Sequence, residues 1–304
     1  MNRRNFLKST ATAAFLVPIA VLAAEAPPAR PRRPLKKGLM FNSFRSGPND
    51  KRSLGEKLIL VRQAGFDGVE MRGSQNQAEV LAARDASGLA IASVNIATNW
   101  ARPLSDPNPG VREAGLEGLK QGLRDAKAYG ASSVLLVPAV VTKDVSYADA
   151  YARSVAEIAK AVPLAESLGV AIAIENVWNQ FLLSPLEAVQ YVDAFKSPMV
   201  RWHFDVGNVV TTGWPEQWIR SLGSRIAKVH VKEYSRKLRD ERGPRAGFEV
   251  ELFKGDSDWP SVMRALDDVK YSGWMITEQR RPPGLDDAAY LAHLSAKLDE
   301  IFAC

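Results

Sequence analysis

The sequence predicts an α/β protein with one domain, a (β/α)8 TIM barrel, on three observations. From residue 38 onward, short apolar runs alternate with segments of helical periodicity, and eight such units follow one another. Several helical segments are followed by glycine, as helix C-termini commonly are. The length of 304 residues suits a single barrel of about 250 residues. Strict alternation favours a parallel sheet, and eight units favour its closure into a barrel. An open doubly wound sheet is the alternative, but no glycine-rich phosphate loop follows the first strand.

Each predicted strand is a short apolar run bounded by polar residues or glycine. The eight strands are predicted at residues 38–44, 68–72, 91–96, 133–139, 171–177, 200–207, 226–234 and 274–279. Each predicted helix has apolar residues three or four positions apart and follows one of these strands. The eight helices are predicted at residues 54–64, 77–87, 111–129, 147–168, 185–195, 215–222, 259–269 and 286–301.

The N-terminal residues 1–24 resemble a twin-arginine signal peptide. Arg3 and Arg4 precede an apolar run that ends in small residues, which offer a cleavage site. The run is too short for a stable membrane span, and an uncleaved anchor is the alternative. This interpretation implies the Tat export machinery as a partner and a periplasmic or otherwise exported location. Residues 25–37, rich in proline and basic residues, are predicted to form a linker, so the barrel is assigned to residues 38–304.

The net charge and the cysteine content indicate which partners and which sources of stability the protein can have. Without the three cations of residues 1–24, the formal charge of +6 falls to +3, which does not favour a nucleic-acid partner. The single cysteine, Cys304, excludes a disulfide within the chain, so a hydrophobic core must supply the stability. The sequence leaves open a homo-oligomeric assembly.

Four acidic or imidazole side chains stand at the ends of the last four predicted strands: Glu175, Asp205, His230 and Glu278. Successive side chains of a strand alternate between its faces, which places Glu175 with two small alanines on the inward face. The carboxyl ends of barrel strands meet at one mouth, so we expect the four groups to converge. Three carboxylates buried together are costly without a cation. We therefore predict one divalent ion; the mixed oxygen and nitrogen donors suit Mn²⁺, Mg²⁺, Co²⁺ and Zn²⁺ and do not choose among them.

The motifs Ile-Glu175-Asn, Phe-Asp205-Val-Gly-Asn208, Val-His230-Val-Lys and Thr-Glu278 resemble those of the xylose-isomerase-like barrel superfamily, often labelled sugar phosphate isomerase/epimerase. In ketose 3-epimerases of that superfamily, a Glu, an Asp, a His and a Glu from these strands hold a single metal. The resemblance gives that role to the four residues at the same places here. Those epimerases usually have a histidine three residues after the aspartate, whereas this chain has Asn208, so the resemblance does not carry over the substrate.

The resemblance implies a divalent-metal-dependent sugar isomerase or epimerase that transfers a proton through a metal-stabilised enediolate. Glu175 and Glu278 would exchange the proton, and Lys232 would hold a substrate oxygen or assist. A lyase or hydratase that acts on a keto-glycoside by the same enolate chemistry is the alternative. Further contacts with a small-molecule sugar are expected from six residues near the mouth: Glu70, Asn176, Asn208, Trp178, Trp100 and Trp214.

Several of these assignments have a structural alternative. Glu70 would pair with Arg72 or Lys36, Lys232 would form a salt bridge to Glu233 or Asp258, and the tryptophans would cap the core. His203 is expected one layer below Asp205, as a buried histidine behind the metal site, and His293 on the last helix is expected to be structural. The connection at residues 233–258 is predicted to be a lid or substrate loop, with a solvated insertion as the alternative.

Two further function classes compete with the sugar enzyme. A zinc endonuclease of the same superfamily would need many histidine ligands, and the chain has three histidines in all. A sugar-binding barrel without activity is the other alternative, and chelation or a Glu278→Gln variant would distinguish it from an enzyme.

Overall fold

The computed structural model of the protein describes residues 33–44 and 50–304. Eight parallel strands pair in sequence order, and the eighth pairs with the first, so the predicted TIM barrel is confirmed. The signal peptide predicted at residues 1–24 lies outside the described residues. The strands are β1 (Leu35–Met40), β2 (Gly68–Arg72), β3 (Ala90–Asn95), β4 (Ser133–Leu136), β5 (Ala171–Glu175), β6 (Val200–Asp205), β7 (Ile226–Val231) and β8 (Gly273–Thr277).

The described residues form eleven α-helices. They are α1 (Leu54–Gln63), α2 (Gln77–Ser87), α3 (Pro109–Tyr129), α4 (Tyr147–Ala159), α5 (Val162–Leu168), α6 (Pro185–Asp193), α7 (Val206–Val210), α8 (Pro215–Leu222), α9 (Arg236–Arg242), α10 (Trp259–Asp268) and α11 (Asp287–Ala303). Serine side chains begin α1 and α6 in capping boxes, which fix where these helices start. No helix in this part of the chain is long and apolar enough to cross a membrane.

The structure differs from the prediction at the helix expected over residues 147–168, which is two helices, α4 and α5. Pro163 is the cause, since it lies in the first turn of α5. A proline inside a helix lacks the N–H group for the helical hydrogen bond, and its ring clashes with the preceding turn. The helix therefore ends at Ala159 and a new one starts at Val162.

The strands also differ from the prediction at their ends. The first strand begins at Leu35, so the predicted linker ends three residues earlier than expected. Strands β4 to β8 stop two or three residues before the predicted ends. At these points the chain leaves the sheet to form the loops of the mouth.

Alternation along β5 is as predicted. Ile172 and Ile174 belong to the hydrophobic core, and Ala171 and Ala173 are buried but lie outside that cluster. Since side chains two apart share a face, Glu175 points the same way as the two alanines. The small residues leave room inside the barrel below the carboxylate, and the larger ones pack outside the sheet.

Candidate metal centre

Strand register brings the four predicted ligands to one level of the barrel. Glu175 on β5 lies beside His203 on β6, and Asp205 on β6 lies beside His230 on β7. The backbone N–H of Glu278, just past β8, donates to the carbonyl of Val231 on β7. The backbone ladder therefore sets the height of each ligand.

The imidazole Nδ1 of His230 lies at the centre of the three carboxylates. It is 3.0 Å from Glu175 Oε1, 3.4 Å from Glu278 Oε2 and 3.8 Å from Asp205 Oδ2. One ligand atom from each of the four residues lies within 4.8 Å of all the others. Such a mixed set of oxygen and nitrogen donors fits a divalent cation.

The Asp205 carboxylate is oriented by its neighbours. Its Oδ1 accepts from the backbone N–H of Asn208 at 2.8 Å, and the Asn176 amide donates to the Asp205 carbonyl at 2.7 Å. Its buried Oδ2 has no hydrogen bond of adequate geometry, although Lys232 Nζ is 3.0 Å away. A buried carboxylate oxygen without a hydrogen bond is costly, and a bound cation would satisfy it.

Glu70 lies beneath this group, and its carboxylate is turned to His230 rather than to the mouth. Its Oε1 is 3.2 Å from His230 Nε2, and its Oε2 accepts from the hydroxyl of Ser93. Within the described residues its ion-pair partners are His230 and His203, not Arg72 or Lys36. An acceptor on Nε2 keeps the proton there and leaves the Nδ1 lone pair for a metal, as in carboxylate–histidine–metal arrangements.

His203 is fully buried behind the ligands, where the sequence predicted it. Its ring meets the His230 ring edge to face, with centroids 4.1 Å apart. Neither ring nitrogen has a hydrogen bond, and burial, then His230 and Lys228, lower the pKa of His203 well below its usual value. With Glu70 and His230 it forms a second trio of close donors, which shares His230 with the first group.

Lys232 is the only lysine or arginine paired with these carboxylates within the described ranges. Its ammonium is 2.6 Å from Glu278 Oε2 and 3.0 Å from Asp205 Oδ2, so the alternative pairing with Glu233 or Asp258 is not what the structure shows. Gly207 makes this approach possible, since a Cβ there would lie 2.8 Å from the Lys232 carbonyl oxygen. Burial works to lower the pKa of Lys232, but Asp205 and Glu278 raise it well above its usual range, so the ammonium stays charged.

The two glutamates of the centre differ in their tendency to hold a proton. Burial raises the pKa of Glu175 to about 7, and its bond to His230 only partly opposes this. Burial acts in the same direction on Glu278, but the charges of Lys232 and His230 outweigh it and hold the pKa at about 2. Without a metal, one carboxylate therefore takes up a proton near neutral pH and the other stays ionised.

A cavity of about 460 Å³, which we call the metal pocket, opens above these ligands. Glu175, Glu278 and Lys232 form its base, and Trp100 and Trp178 stand among its walls. Trp100 is 58 % exposed, so its ring is available to a ligand. Trp214 does not line this pocket and instead contacts the guanidinium of Arg236.

Asn176 and Asn208, both predicted to contact the sugar, are partly engaged in the protein itself. Asn176 Oδ1 accepts from the indole N–H of Trp202 at 3.1 Å, besides the contacts of Asn176 with Asp205. Asn208 donates to the Asn176 carbonyl at 2.9 Å and lines the metal pocket. Both asparagines thus fix the Asp205 loop, and Asn208 also faces the cavity. His293, expected to be structural, is 3.8 Å from Glu251 on the surface.

Glu233 is an organising residue that the sequence analysis did not identify. Its buried carboxylate accepts from the backbone N–H groups of Phe253 and Ser257 and from the indole of Trp259, at 2.8 to 3.0 Å. These bonds tie down the long connection after β7, which contains α9. Phe248 and Arg245 of this connection line the metal pocket, so the segment predicted to be a lid or substrate loop borders the site. An acidic residue among many charged ones gave no sequence signal of this role.

Solved structures of similar fold include several sugar epimerases. The similarity to D-psicose 3-epimerase from Clostridium cellulolyticum H10, solved with D-tagatose, covers 88 % of this chain and 100 % of that one. The identity is 17 % and the TM-score is 0.73. The similarity to the apo form of 3-keto-D-glucoside 4-epimerase YcjR from E. coli covers 89 % of this chain and 100 % of that one. The identity is 17 % and the TM-score is 0.72. The similarity to the IolI protein, solved with a zinc atom, covers 88 % of this chain and 98 % of that one. The identity is 16 % and the TM-score is 0.68.

At these identities the likeness to solved structures shows the fold alone. A search of curated protein sequences gives no significant match. The family model described as "Xylose isomerase-like TIM barrel" matches residues 58–299, which is most of the chain and includes all four residues of the centre. The chain therefore belongs to the xylose isomerase-like TIM barrel family.

Proposed function

We propose that the protein is a divalent-metal-dependent sugar isomerase or epimerase that moves a proton at the carbon next to a carbonyl group. The supporting observation is the convergence of four donor atoms within 4.8 Å, with a buried Asp205 oxygen that lacks a hydrogen bond. Glu175, Asp205, His230 and Glu278 would hold the ion. Mn²⁺ is expected first, and Mg²⁺, Co²⁺ and Zn²⁺ also suit the donors.

A cation bound there would stabilise the negative charge that develops on the substrate oxygens when the proton leaves. The chain's own residues would then move the proton. Glu175 and Glu278 come from strands that are not adjacent, β5 and β8, and so reach the metal pocket from different sides. One carboxylate takes the proton from one face of the sugar, and the other returns a proton to the opposite face.

Lys232 has a separate role in this proposal. Its ammonium, 2.6 Å from Glu278 Oε2, keeps that carboxylate ionised, which is the form that can accept a proton. The same ammonium lines the metal pocket, where it would also hold a substrate oxygen. Trp100 and Trp178 offer flat apolar faces to the C–H groups of a sugar ring.

The test begins with elemental analysis of the purified protein and titration of the chelated protein with Mn²⁺, Co²⁺ and Zn²⁺. Ketoses and 3-keto-glycosides are then incubated with the protein in D₂O, and NMR follows deuterium entering the carbon next to the carbonyl. We expect exchange that EDTA abolishes, that added metal restores, and that falls by about 10²- to 10⁴-fold in Glu278→Gln. Epimerisation and loss of a substituent both begin with this exchange, and the products distinguish them.

The matched control is Glu117→Gln, a change of the same kind on the exposed surface of α3, which should leave both metal binding and exchange intact. A protein that binds no divalent ion in the titration would contradict the metal proposal. Binding of metal and sugar without exchange on any accepted sugar would instead indicate the inactive sugar-binding barrel.

We also propose that the protein is exported through the Tat machinery to the periplasm or beyond. The supporting observation is the paired Arg3 and Arg4 before an apolar run with a small-residue end. Fractionation of producing cells tests it, with the Arg3→Lys, Arg4→Lys double variant expected to remain inside. Export that does not depend on the arginine pair would contradict the Tat assignment.

A further inference from the structure

A second cavity lies beside the metal pocket, and we call it the side chamber. It measures about 450 Å³, nearly the size of the metal pocket, and both are in the range of small-molecule sites. Its walls come from the loop after β5, from the segment after β6 and from Pro244 of the long connection. Val177, Trp178 and Asn208 line both cavities, so a molecule that spans the two would pass along these side chains.

The two cavities differ in chemistry. Two glutamates, a lysine and an arginine line the metal pocket. The thirteen residues that line the side chamber include no charged side chain, and Phe181, Leu183, Val209 and Trp218 are among them. Leu183 is 60 % exposed, so its side chain is accessible to a ligand in the chamber. These walls suit an uncharged ring better than an anionic group.

The loop that forms one wall is held in a costly conformation. Gln180 and Leu182 have φ angles of 60° and 54°, in the left-handed region that side chains with a Cβ rarely adopt. Asn179 holds the loop by donating to the Ala139 carbonyl at 2.7 Å and accepting from the Phe181 N–H at 3.3 Å. The Tyr147 hydroxyl accepts from the Leu182 N–H at 3.0 Å. The shape of the chamber is thus fixed by specific hydrogen bonds.

Trp178, which lines both cavities, is also held in a fixed position. The indole N–H of Trp178 donates to the Asn208 carbonyl at 3.0 Å, and the Trp178 ring packs against Tyr234 and Phe248. The tryptophan therefore stands in a set position, with the charged base of the metal pocket on one side and the uncharged chamber on the other. A substrate with a polar sugar and an apolar substituent matches this division.

We propose that the side chamber binds the uncharged, apolar aglycone ring of a glycoside whose sugar ring occupies the metal pocket. This inference rests on the proposed function, since it assigns the class of substrate for the same site. Apolar contacts favour the aglycone, and the absence of charged side chains among the lining residues disfavours a phosphate or carboxylate in its place. The substrate is then a keto-glycoside with an aryl or similar ring, rather than a free or phosphorylated sugar.

The experiment compares a phenyl 3-keto-glucoside with free 3-ketoglucose in the deuterium exchange assay. We expect kcat/KM for the phenyl compound to exceed that for the free sugar by about tenfold or more. Thr212→Trp places a large ring in the chamber, and Leu183→Ser removes part of its apolar wall. Each should lower the ratio of the two kcat/KM values by about tenfold. A ratio near one in the unaltered protein, or a high ratio that persists in Thr212→Trp, would overturn the proposal.

Two matched controls distinguish filling of the chamber from damage to the fold. Gln217→Trp adds the same ring to the exposed surface of α8, and Leu186→Ser alters a leucine that is 68 % exposed but does not line the chamber. Both should retain the ratio of the unaltered protein. Circular dichroism and thermal melting verify that all four variants fold.

A binding measurement separates failure of this inference from failure of the proposed function. Phenyl β-D-glucoside has no carbonyl to react, so calorimetry reports its binding without turnover. We expect Thr212→Trp to weaken this binding by about tenfold and Gln217→Trp to leave it unchanged. If neither sugar exchanges deuterium yet this pattern holds, the enzyme proposal fails and the chamber stands. If exchange occurs but phenyl β-D-glucoside binds equally to both variants, the chamber proposal fails alone.

Discussion

The metal pocket and the side chamber share the ring of Trp178, yet they are built from different parts of the chain. The base of the metal pocket is formed by side chains at strand ends, whose positions the parallel ladder fixes. The chamber is formed by loops, and a few side-chain hydrogen bonds hold its wall. The metal pocket is lined by charged side chains that would hold a cation, whereas no charged side chain lines the side chamber. Because their supports differ, changes should alter one cavity and spare the other.

The largest effect is expected from Asp205→Asn, which removes charge from the metal pocket alone. The amide oxygen can still accept from the Asn208 N–H, so the loop should keep its shape. The carboxylate oxygen without a hydrogen bond is lost, and metal affinity should fall by about 1,000-fold, more than changes behind the ligands cause. Calorimetric titration with Mn²⁺ measures it.

Binding of phenyl β-D-glucoside should be far less sensitive to this change, since the chamber has no charged lining. Asp240→Asn, on the exposed surface of α9, is the control for the substitution itself. Unchanged metal affinity in Asp205→Asn would exclude the aspartate as a ligand.

The second effect concerns Glu70→Gln, beneath the metal pocket. The amide cannot act as a charged acceptor for His230 Nε2, which is 3.2 Å from the Glu70 carboxylate. Metal affinity should fall by about 10- to 100-fold, as for other residues that orient a histidine ligand. The visible spectrum of the Co²⁺ protein should shift, because the ring becomes a weaker donor.

Glu70 acts through His230 rather than on the substrate, so the KM for the sugar should change less than the metal affinity. Glu79→Gln, at the exposed first turn of α2, provides the comparison. A loss of thermal stability with no change in Co²⁺ affinity or spectrum would show that Glu70 is merely structural.

Asn179→Ala tests the chamber in turn. It removes the bond to the Ala139 carbonyl and the bond from the Phe181 N–H, both in a buried loop with left-handed residues. Unfolding free energy should fall by about 1–2 kcal/mol, and phenyl β-D-glucoside should bind more weakly. Metal affinity should stay within about twofold of the unaltered protein. Equal losses of metal and glucoside binding would mean that the two cavities are not independent.

The same contrast explains what the sequence could predict. Glu175 was assigned correctly to the inward face because two small residues alternate with two isoleucines along β5. Helices α2 and α8 have the predicted bounds, since cap residues and prolines mark their ends locally. Both results depend on periodicities that lie within one element.

The remaining features depend on contacts between distant segments. Glu70 and His230 are 160 residues apart, and no local pattern indicates that one would hold the other. Glu233 meets its partners only after the connection folds back on itself. The left-handed Leu182 was equally unpredictable, because a bulky residue adopts that conformation only when its surroundings impose it.

The smallest effect concerns a buried ammonium one layer below the metal pocket, where the charge of Glu70 only partly offsets the cost of burial. Lys228 precedes His230 by two residues and has no carboxylate within ion-pairing distance in the described part of the chain; its ammonium donates to the Ser132 hydroxyl at 2.7 Å. Burial, then Arg201, lowers the pKa of Lys228 from 10.5 to about 8. In the unfolded chain the pKa returns to about 10.5, so the unfolded state binds the extra proton between these values.

The stability of the unaltered protein should therefore rise as pH increases from about 8 to 10.5, and below pH 8 it bears the full cost of the buried charge. Lys228→Met removes that cost but leaves the Ser132 hydroxyl without its donor, so we expect a net gain of about 1 kcal/mol at pH 7. The gain in unfolding free energy should become smaller as pH increases from about 8 and should be lost at about pH 10.5. Urea unfolding of both proteins in EDTA measures this, and a gain independent of pH would mean that Lys228 has the same pKa in the folded and unfolded states.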